Sequence, residues 1–465
     1  MSKSIEDVAK NIWEYAEIRF QEVKSAGELA DYAKEKGFEV EMGICGLPTA
    51  FKATYGSGHP IIAFLGEYDA LAGLSQKADI PLKEKGEQEN SGHGCGHHLL
   101  GAGALYGAEI AKKYLEDNKL EGTIVYYGCP AEEGGSGKTI MAVKGEFKNA
   151  DLALTWHPFA YNGLFSETTL ANYQATFRFE GKSSHAGSSP HLGRSALDAV
   201  ELMNVGTNYL REHVIQEARF HYAITNTGGV SPNVVQPEAE VLYLIRAPKI
   251  AQVDEIFERI CNIARGAALM TGTRVKLLFD KGVSEYIGNK EIEKVLYKNM
   301  KKLDKIQYTS EELEYAQKFK DTLNNEELAS SFGWMEEVAG DSWKSLKEMM
   351  ISNPIFMGTL PYDSTRTRLL SGSTDVGDVS KNIPTGQIGT ACYAIGTAAH
   401  SWQMVAQGKS SMALKGMRFA GEVLGQTAID IFGNKSLFEI IMKNFEETKE
   451  EYKSPIKYGK DPIDL

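Results

Sequence analysis

The sequence predicts an α/β protein: a helix-covered, mostly parallel sheet forms the catalytic domain, and a smaller ferredoxin-like α+β domain is inserted into it. Three observations predict this. Short β-rich runs in the first third, HPIIAFLGEYDA, GTIVYYGCPAEEGG and ADLALTWHP, each break into a polar or glycine-rich turn. Leu99 to Tyr114 reads as a helix with small residues on its packing face, and strands alternating with helices mark a parallel sheet. From about residue 170 the order becomes β-α-β-β-α-β, that of a ferredoxin-like unit.

The elements follow in chain order. MSKSIEDVAKNIWEYAEIRF predicts an amphipathic helix with Ile5, Val8, Ile12 and Ala16 on one stripe, and it lacks the continuous apolar core of a signal peptide. After the first strands and helix, ANYQATFRFEG alternates as a half-buried strand, and SALDAVELMNVGTNYLREHV is a helix. The strands HYAITNTGG and EVLYLIRAP, a second helix carrying Val253, Ile256, Ile260 and Ile263, and the strand TRVKLLFDKG complete the insertion. The expected boundaries are 1–168 and 285–465 for the catalytic domain and 169–284 for the insertion. Residues 289–350 are expected to be helical and are highly charged, with no recognisable chemistry. GSTDVGDVS reads as a turn-rich loop, GTACYAIGTAAHSWQ as a buried strand opening into a loop that presents His400, and the end of the chain as helical.

Bulk properties narrow the function. A chain of 465 residues, 42% hydrophobic and 24% charged, is ordinary for a soluble globular protein. The net charge of −12, without a Lys/Arg block to track phosphates, argues against a nucleic-acid partner. No apolar run has the length to span a bilayer. Cys45, Cys95, Cys129, Cys261 and Cys392 are an odd, scattered set without a CxxC pair. That usage suits the cytoplasm and argues against a disulfide framework.

In parallel sheets, ligands collect beyond the carboxyl ends of strands, and here those ends present Glu67 and Asp69, Glu132 and Glu133, and His157. NSGHGCGHHLLG, residues 90–101, adds three histidines and a cysteine within six positions. Its spacing alone fits a cysteine nucleophile with its base, half of a zinc knuckle, or part of a catalytic metal centre. Singly, such residues are more often structural: a hydrogen-bonded histidine, a surface glutamate pair, a small core cysteine. Together, Cys95, His97, Glu133, His157 and His400 form a donor set sized for two divalent ions. Two metals about 3.5–4 Å apart can hold a bridging hydroxide and polarise a carbonyl. Such a site also needs a carboxylate that is not a ligand. The adjacent glutamates can split these roles, Glu133 on metal and Glu132 as general base, while Asp69 is placed to orient a ligand imidazole.

GEYDALAGL, GHGCGH, PAEEGGSGK, TWHP, HAGSSPHLGRSALDA, SPNVV, STDVGDVS and AHSWQ together resemble the dinuclear metallo-amidohydrolases related to carboxypeptidase G, aminoacylases and plant auxin-conjugate hydrolases. The motifs run in the same order from about residue 45 to residue 425. The resemblance implies Cys95, His97, Glu133, His157 and His400 as metal ligands and Glu132 as general base. In the insertion it implies His185 as the group that polarises the scissile carbonyl or its oxyanion. Asn233 would contact substrate, and Arg246 would hold a free carboxylate. It further implies two divalent ions in each protomer, with Mn2+ ahead of Zn2+, whereas donor chemistry alone admits zinc, manganese or cobalt. The implied substrate is an N-acyl or N-aroyl amino acid, p-aminobenzoyl-glutamate foremost, or a dipeptide. The implied assembly is a homodimer through the insertion or a heterodimer with a paralogous A-type chain. Two positions depart from the pattern. His98 replaces an aspartate of the auxin-conjugate hydrolases, as either a further ligand or a hydrogen-bonding group. Glu67 stands where many wider relatives carry a metal histidine, which shifts weight onto Cys95 and His97.

Two other readings compete: a non-catalytic scaffold within a hydrolase complex, against which Glu132 argues, and a Cys95 nucleophile hydrolase, which leaves both glutamates unexplained.

Overall fold

Ser4 starts the first helix, α1 (Ile5–Tyr15), through a capping box in which its hydroxyl accepts from the Asp7 N–H and the Asp7 carboxylate accepts from the Ser4 N–H. Ile5, Val8, Ala9, Ile12 and Trp13 bury one stripe of it. In this computed structural model, residues 3–88, 90–303, 306–366, 368–459 and 461–465 are described. The chain continues through α2 (Val23–Glu35), β1 (Glu39–Met42), β2 (Phe51–Ser57), β3 (Ile61–Glu67), α3 (His97–Asn118), β4 (Gly122–Cys129), α4 (Gly137–Val143), β5 (Leu152–Phe159) and β6 (Gly163–Leu164). Next come β7 (Ala171–Glu180), α5 (Ala196–Leu210), β8 (Arg219–Asn226), β9 (Glu238–Ala247), α6 (Ile250–Thr271) and β10 (Arg274–Val283). The remainder comprises α7 (Lys290–Leu303), α8 (Ser310–Lys320), α9 (Asn325–Ala339), α10 (Trp343–Ser352), β11 (Thr385–Ala391), α11 (Trp402–Gln407), α12 (Ser411–Phe432), α13 (Lys435–Thr448) and β12 (Ile463–Asp464).

Two units emerge. The first comprises Met1–Glu167, Ile287–Arg368 and Val379–Glu451. Its seven-stranded sheet has the order β1-β2-β4-β3-β5-β11-β6, with the central strands β4, β3, β5 and β11 parallel and β1, β2 and β6 antiparallel at the flanks. Every residue of β4 and β11 is buried; β4, GTIVYYGC, accordingly reads as an apolar run without alternation, whereas β11, TGQIGTA, is buried through small and polar residues. Helix α3 lies close over the sheet because its packing face is small: a Cβ at Gly101 would stand 2.6 Å from the Glu67 carbonyl oxygen, and one at Gly103 2.7 Å from the Trp156 ring. The register pairs Glu67 with Cys129 and His157 with Gly389, so the chemically loaded strand ends lie along one sheet edge. The strand read from GTACYAIGTAAHSWQ starts earlier, at Thr385, and ends at Ala391. Most of that motif is therefore the loop leading to α11.

The second unit comprises Thr168–Tyr286, Leu369–Asp378 and Tyr452–Leu465. Its sheet has the order β8-β9-β7-β10-β12, with all pairings antiparallel. Alternate residues such as Phe177, Val241 and Tyr243 bury against Met203 of α5 and Phe257 and Ile260 of α6. Two segments differ from the boundaries expected from sequence, since residues 369–378 and 452–465 cluster with this unit. Helix α13 ends at Thr448, and no further helix forms among the described residues that follow, where Pro455 and Pro462 lack the N–H a helix needs. That tail pairs Ile463 with Leu277 and packs Tyr458 on Phe257 and Phe279. In GSTDVGDVS, the buried Asp378 accepts from the Ser284 N–H and hydroxyl and from the Tyr452 hydroxyl.

Candidate metal centre

Gly96, at φ 73°, makes the tight turn between Cys95 and the start of α3; a Cβ there would meet Pro158 Cγ at 2.5 Å. The turn projects Cys95 and His97 beside His157 of β5. One ligand atom from each of Cys95, His97 and His157 lies within 4.8 Å of the others, and the same holds for Cys95, Glu133 and His400. Cys95 is common to both triads. A third group of the same size is Glu67, His97 and Glu132. His97 and Glu67 are fully buried, and His157 is 7% exposed.

Asp69 organises this cluster. Its Oδ1 lies 2.8 Å from His97 Nδ1 and its Oδ2 accepts from the Glu133 N–H at 2.9 Å. His97 Nε2 is thereby turned toward Glu67 Oε2, 3.1 Å away. The Glu67 carboxylate also meets Lys138 Nζ at 2.7 Å and His157 Nε2 at 3.7 Å. Burial alone would raise the Glu67 pKa, but Lys138, then His97 and His157, hold it below the usual carboxylate value. For Glu133 burial is likewise outweighed, here chiefly by His400, whose Nε2 stands 3.2 Å from Glu133 Oε1. Hydrogen bonding to Cys95 and Glu133 raises His400 to about 10. Burial lowers His157 to about 4 and would lower His97 too, but Cys95, Glu67 and Asp69 hold His97 well above the ordinary imidazole value.

The donor set fits divalent ions. It combines a thiol, imidazoles and carboxylates whose charges already oppose one another. Among the described residues, buried His157 Nδ1 has no hydrogen-bond partner, and His97 Nε2 faces the buried Glu67 carboxylate in an ion-pair contact, so the cluster holds donor atoms that a cation would satisfy.

Sequence inspection missed Lys138 and Glu22 and left Glu67 without a role. Lys138 is fully buried against Glu67, and its signal was a lysine at the start of an otherwise apolar helix, GKTIMAV. Glu22, also fully buried, accepts from the Phe20 and Ala131 N–H groups and from the Thr49 hydroxyl, and so ties down the turn preceding Glu132 and Glu133. His98 stands outside the three donor groups: its Nε2 lies 2.8 Å from the Gly408 carbonyl oxygen, and its ring packs 4.8 Å from His93.

His185, Asn233 and Arg246 belong to the second unit. His185 is exposed, and its Nδ1 accepts from the Gly187 and Ser188 N–H groups at 3.1 Å each, so the proton of the neutral ring sits on Nε2. Asn233 is brought beside it by its carbonyl, which accepts from the Ala186 N–H at 2.9 Å. Arg246, half-buried on β9, donates to the Ser371 carbonyl at 3.4 Å, and burial lowers its pKa.

The fold and the site first define a class, a hydrolase of the metallopeptidase type. The model of peptidase family M20/M25/M40 matches residues 63–401, and the chain belongs to that family. The B-type chain of p-aminobenzoyl-glutamate hydrolase from Escherichia coli (strain K12) is 45% identical over 465 residues, covering 99% of this chain and 96% of that protein. The Xaa-Arg dipeptidase of Mus musculus is 28% identical, covering 94% and 88%. Among solved structures, the aminobenzoyl-glutamate utilization protein from Klebsiella pneumoniae superposes with TM-score 0.60 at 16% identity over 92% of this chain and 95% of that one. A Bacillus subtilis protein described as a dinuclear metal binding peptidase from the M20 family gives TM-score 0.55 at 15% identity over 92% and 98%. The two structures share the fold. The chain is a hydrolase acting on amide bonds.

Proposed function

We propose that the protein is a metal-dependent amidase that cleaves an N-acyl or N-aroyl amino acid, with p-aminobenzoyl-glutamate the leading substrate. The observation that carries this reading is the thiol of Cys95, common to two donor triads. Cys95, His97, Glu133, His157 and His400 would hold two divalent ions, Mn2+ foremost and Zn2+ second. Bound there, the ions supply Lewis acidity for the amide carbonyl and acidify a water. Glu132 takes the proton of the attacking water and passes it to the departing amine. Asp69 fixes the His97 ring through Nδ1, leaving Nε2 for metal. The His185 Nε2–H donates to the oxyanion as the carbonyl becomes tetrahedral. Arg246 receives the free carboxylate of the amino-acid half, with Asn233 as a further polar contact.

The substrate assignment is supported by the E. coli relative named for p-aminobenzoyl-glutamate. The murine Xaa-Arg dipeptidase favours a second reading, dipeptide hydrolysis. For assembly we propose a homodimer through the second unit or a heterodimer with a paralogous A-type chain, since the A-type chain of the E. coli hydrolase is itself 28% identical over 273 residues. No helix among the described residues is long and apolar enough to cross a membrane, and we assign the protein to the cytoplasm. The test is metal analysis of the purified protein coupled to hydrolysis of N-acyl amino acids and dipeptides, with and without chelator. Turnover of p-aminobenzoyl-glutamate that is lost on chelation and restored by Mn2+ is the expected result. Chelator-resistant turnover abolished by a thiol alkylator would reject the metal mechanism.

A further inference from the structure

Two charged side chains at the heart of the first unit have no part in the chemistry assigned above. Glu67 and Lys138 are both fully buried, where an unbalanced charge is costly. Glu67 ends β3, and Lys138 is brought to it by a tight turn. The chain leaves β4 at Cys129 and folds back as the Gly135 and Ser136 N–H groups donate to the Ala131 carbonyl at 2.8 and 2.7 Å. A Cβ at Gly137 would stand 2.0 Å from the Pro130 carbonyl oxygen, so α4 starts directly against the strand end. Because β4 sets Cys129 opposite Glu67, the second residue of α4, Lys138, lies at the Glu67 carboxylate.

The carboxylate is divided between its neighbours. Oε1 stands 2.7 Å from Lys138 Nζ, while Oε2 stands 3.1 Å from His97 Nε2 and 3.7 Å from His157 Nε2. Donor atoms that share a four-coordinate ion at about 2.0–2.2 Å lie roughly 3.3–3.6 Å apart. Oε2 is thus spaced as a further donor beside Cys95, His97 and His157, while an ammonium group keeps Oε1. That ammonium acts on a cation in two ways: it repels the ion directly, and it draws charge away from the carboxylate. The other triad, Cys95, Glu133 and His400, opens to water through His400, whose side chain is 53% exposed, so charge contrasts matter less there.

We propose that Glu67 is a donor to the ion at Cys95, His97 and His157, and that Lys138 is a positioning residue that restrains this donor. Lys138 lowers the affinity of the buried half for a divalent cation and balances the Glu67 carboxylate when no ion is bound. The proposal rests on the metal-dependent reading above and gives opposite signs to two residues in direct contact. Removing the charge of Glu67 weakens ion binding, whereas removing that of Lys138 strengthens it and lowers metal-free stability. A merely structural ion pair behaves otherwise: breaking it from either side loosens the pocket and weakens the ion alike.

The test is Mn2+ binding by the full chain carrying His400→Ala, which leaves one ion to be read, measured by calorimetry against a competing chelator. Adding Glu67→Gln is expected to weaken Mn2+ binding about tenfold, and adding Lys138→Met to strengthen it about tenfold. With both changes present, the gain from Lys138→Met is expected to shrink to about twofold, because Lys138 acts through Glu67. Lys138→Met should also lower the melting temperature of the metal-free protein and enlarge the increment that Mn2+ adds. Lys138→Gln, which keeps a hydrogen bond for Glu67 but no charge, takes the place of Lys138→Met if the latter does not fold, with the same expected sign. Weaker or unchanged binding in the Lys138 variant, or unchanged binding in Glu67→Gln, overturns the proposal, as does a His400→Ala chain that binds no ion. Failure of the unaltered chain to bind Mn2+ or Zn2+ rejects the metal-dependent reading as well.

Discussion

Glu132 follows Ala131, whose left-handed φ of 59° is held by the buried carboxylate of Glu22. If Glu132 is the general base, Glu132→Gln keeps the shape of the side chain, retains both metals and loses about 10²–10⁴ in kcat. Metal content falling in step with activity would instead make Glu132 a ligand. Glu22 itself carries a pH signature. Burial, then the nearby Asp69, raises its pKa to about 7. A carboxyl raised above its unfolded value stabilises the fold fully below that value and loses the contribution as pH rises through the folded pKa. The metal-free protein should therefore lose stability relative to Glu22→Gln between about pH 5 and pH 8, on the order of 3 kcal/mol, read from denaturant midpoints. Parallel stability curves for the two proteins would place the Glu22 titration elsewhere. Cys95, His97 and the paired glutamates were legible because their ligand types crowd short motifs. Glu22 was not, because its partner Ala131 lies 109 residues away and nothing local marks the bond.

The elements differ in how openly they announce themselves. Strand β4 and helices α5 and α6 follow directly from apolar runs and periodicity, whereas β11, TGQIGTA, carries no such run and begins before the stretch read as a strand. The tail after Thr448 does not follow either, since its pairing partner β10 is remote in sequence and only Pro455 and Pro462 mark it as non-helical. By laying Ile463 and Asp464 along β10 and Tyr458 over Phe257 and Phe279, the tail covers one edge of the second sheet. A chain lacking residues 452–465 would expose that edge and the rings beneath Tyr458, a template for strand pairing between molecules. Light scattering should then show self-association that grows with concentration. A truncated protein as monodisperse as the parent would mean that the edge needs no cover.

At the scale of the whole molecule, the class of fold and the order β-α-β-β-α-β were legible, because helix and strand periods survive in single segments. The allocation of residues 369–378 and 452–465 was not, because it depends on tertiary pairing. The proposed division of labour between units can be tested by complementation. If the His185 imidazole serves a partner's site in a two-fold dimer, His185→Ala and Glu132→Gln chains, each inactive alone, regain turnover when co-assembled. A tagged mixed dimer as inactive as its parents would exclude that arrangement. One topological feature bears on how such a molecule is made. The backbone passes between the units at residues 167/168, 286/287, 368/369, 378/379 and 451/452. During vectorial synthesis the ribosome therefore cannot release either unit finished before the other begins. The first unit waits for α13, and the second waits longer still, for the strand added by the final residues. The nascent chain carries two open cores through most of translation, and no single cleavage or gene fragment can yield either unit intact.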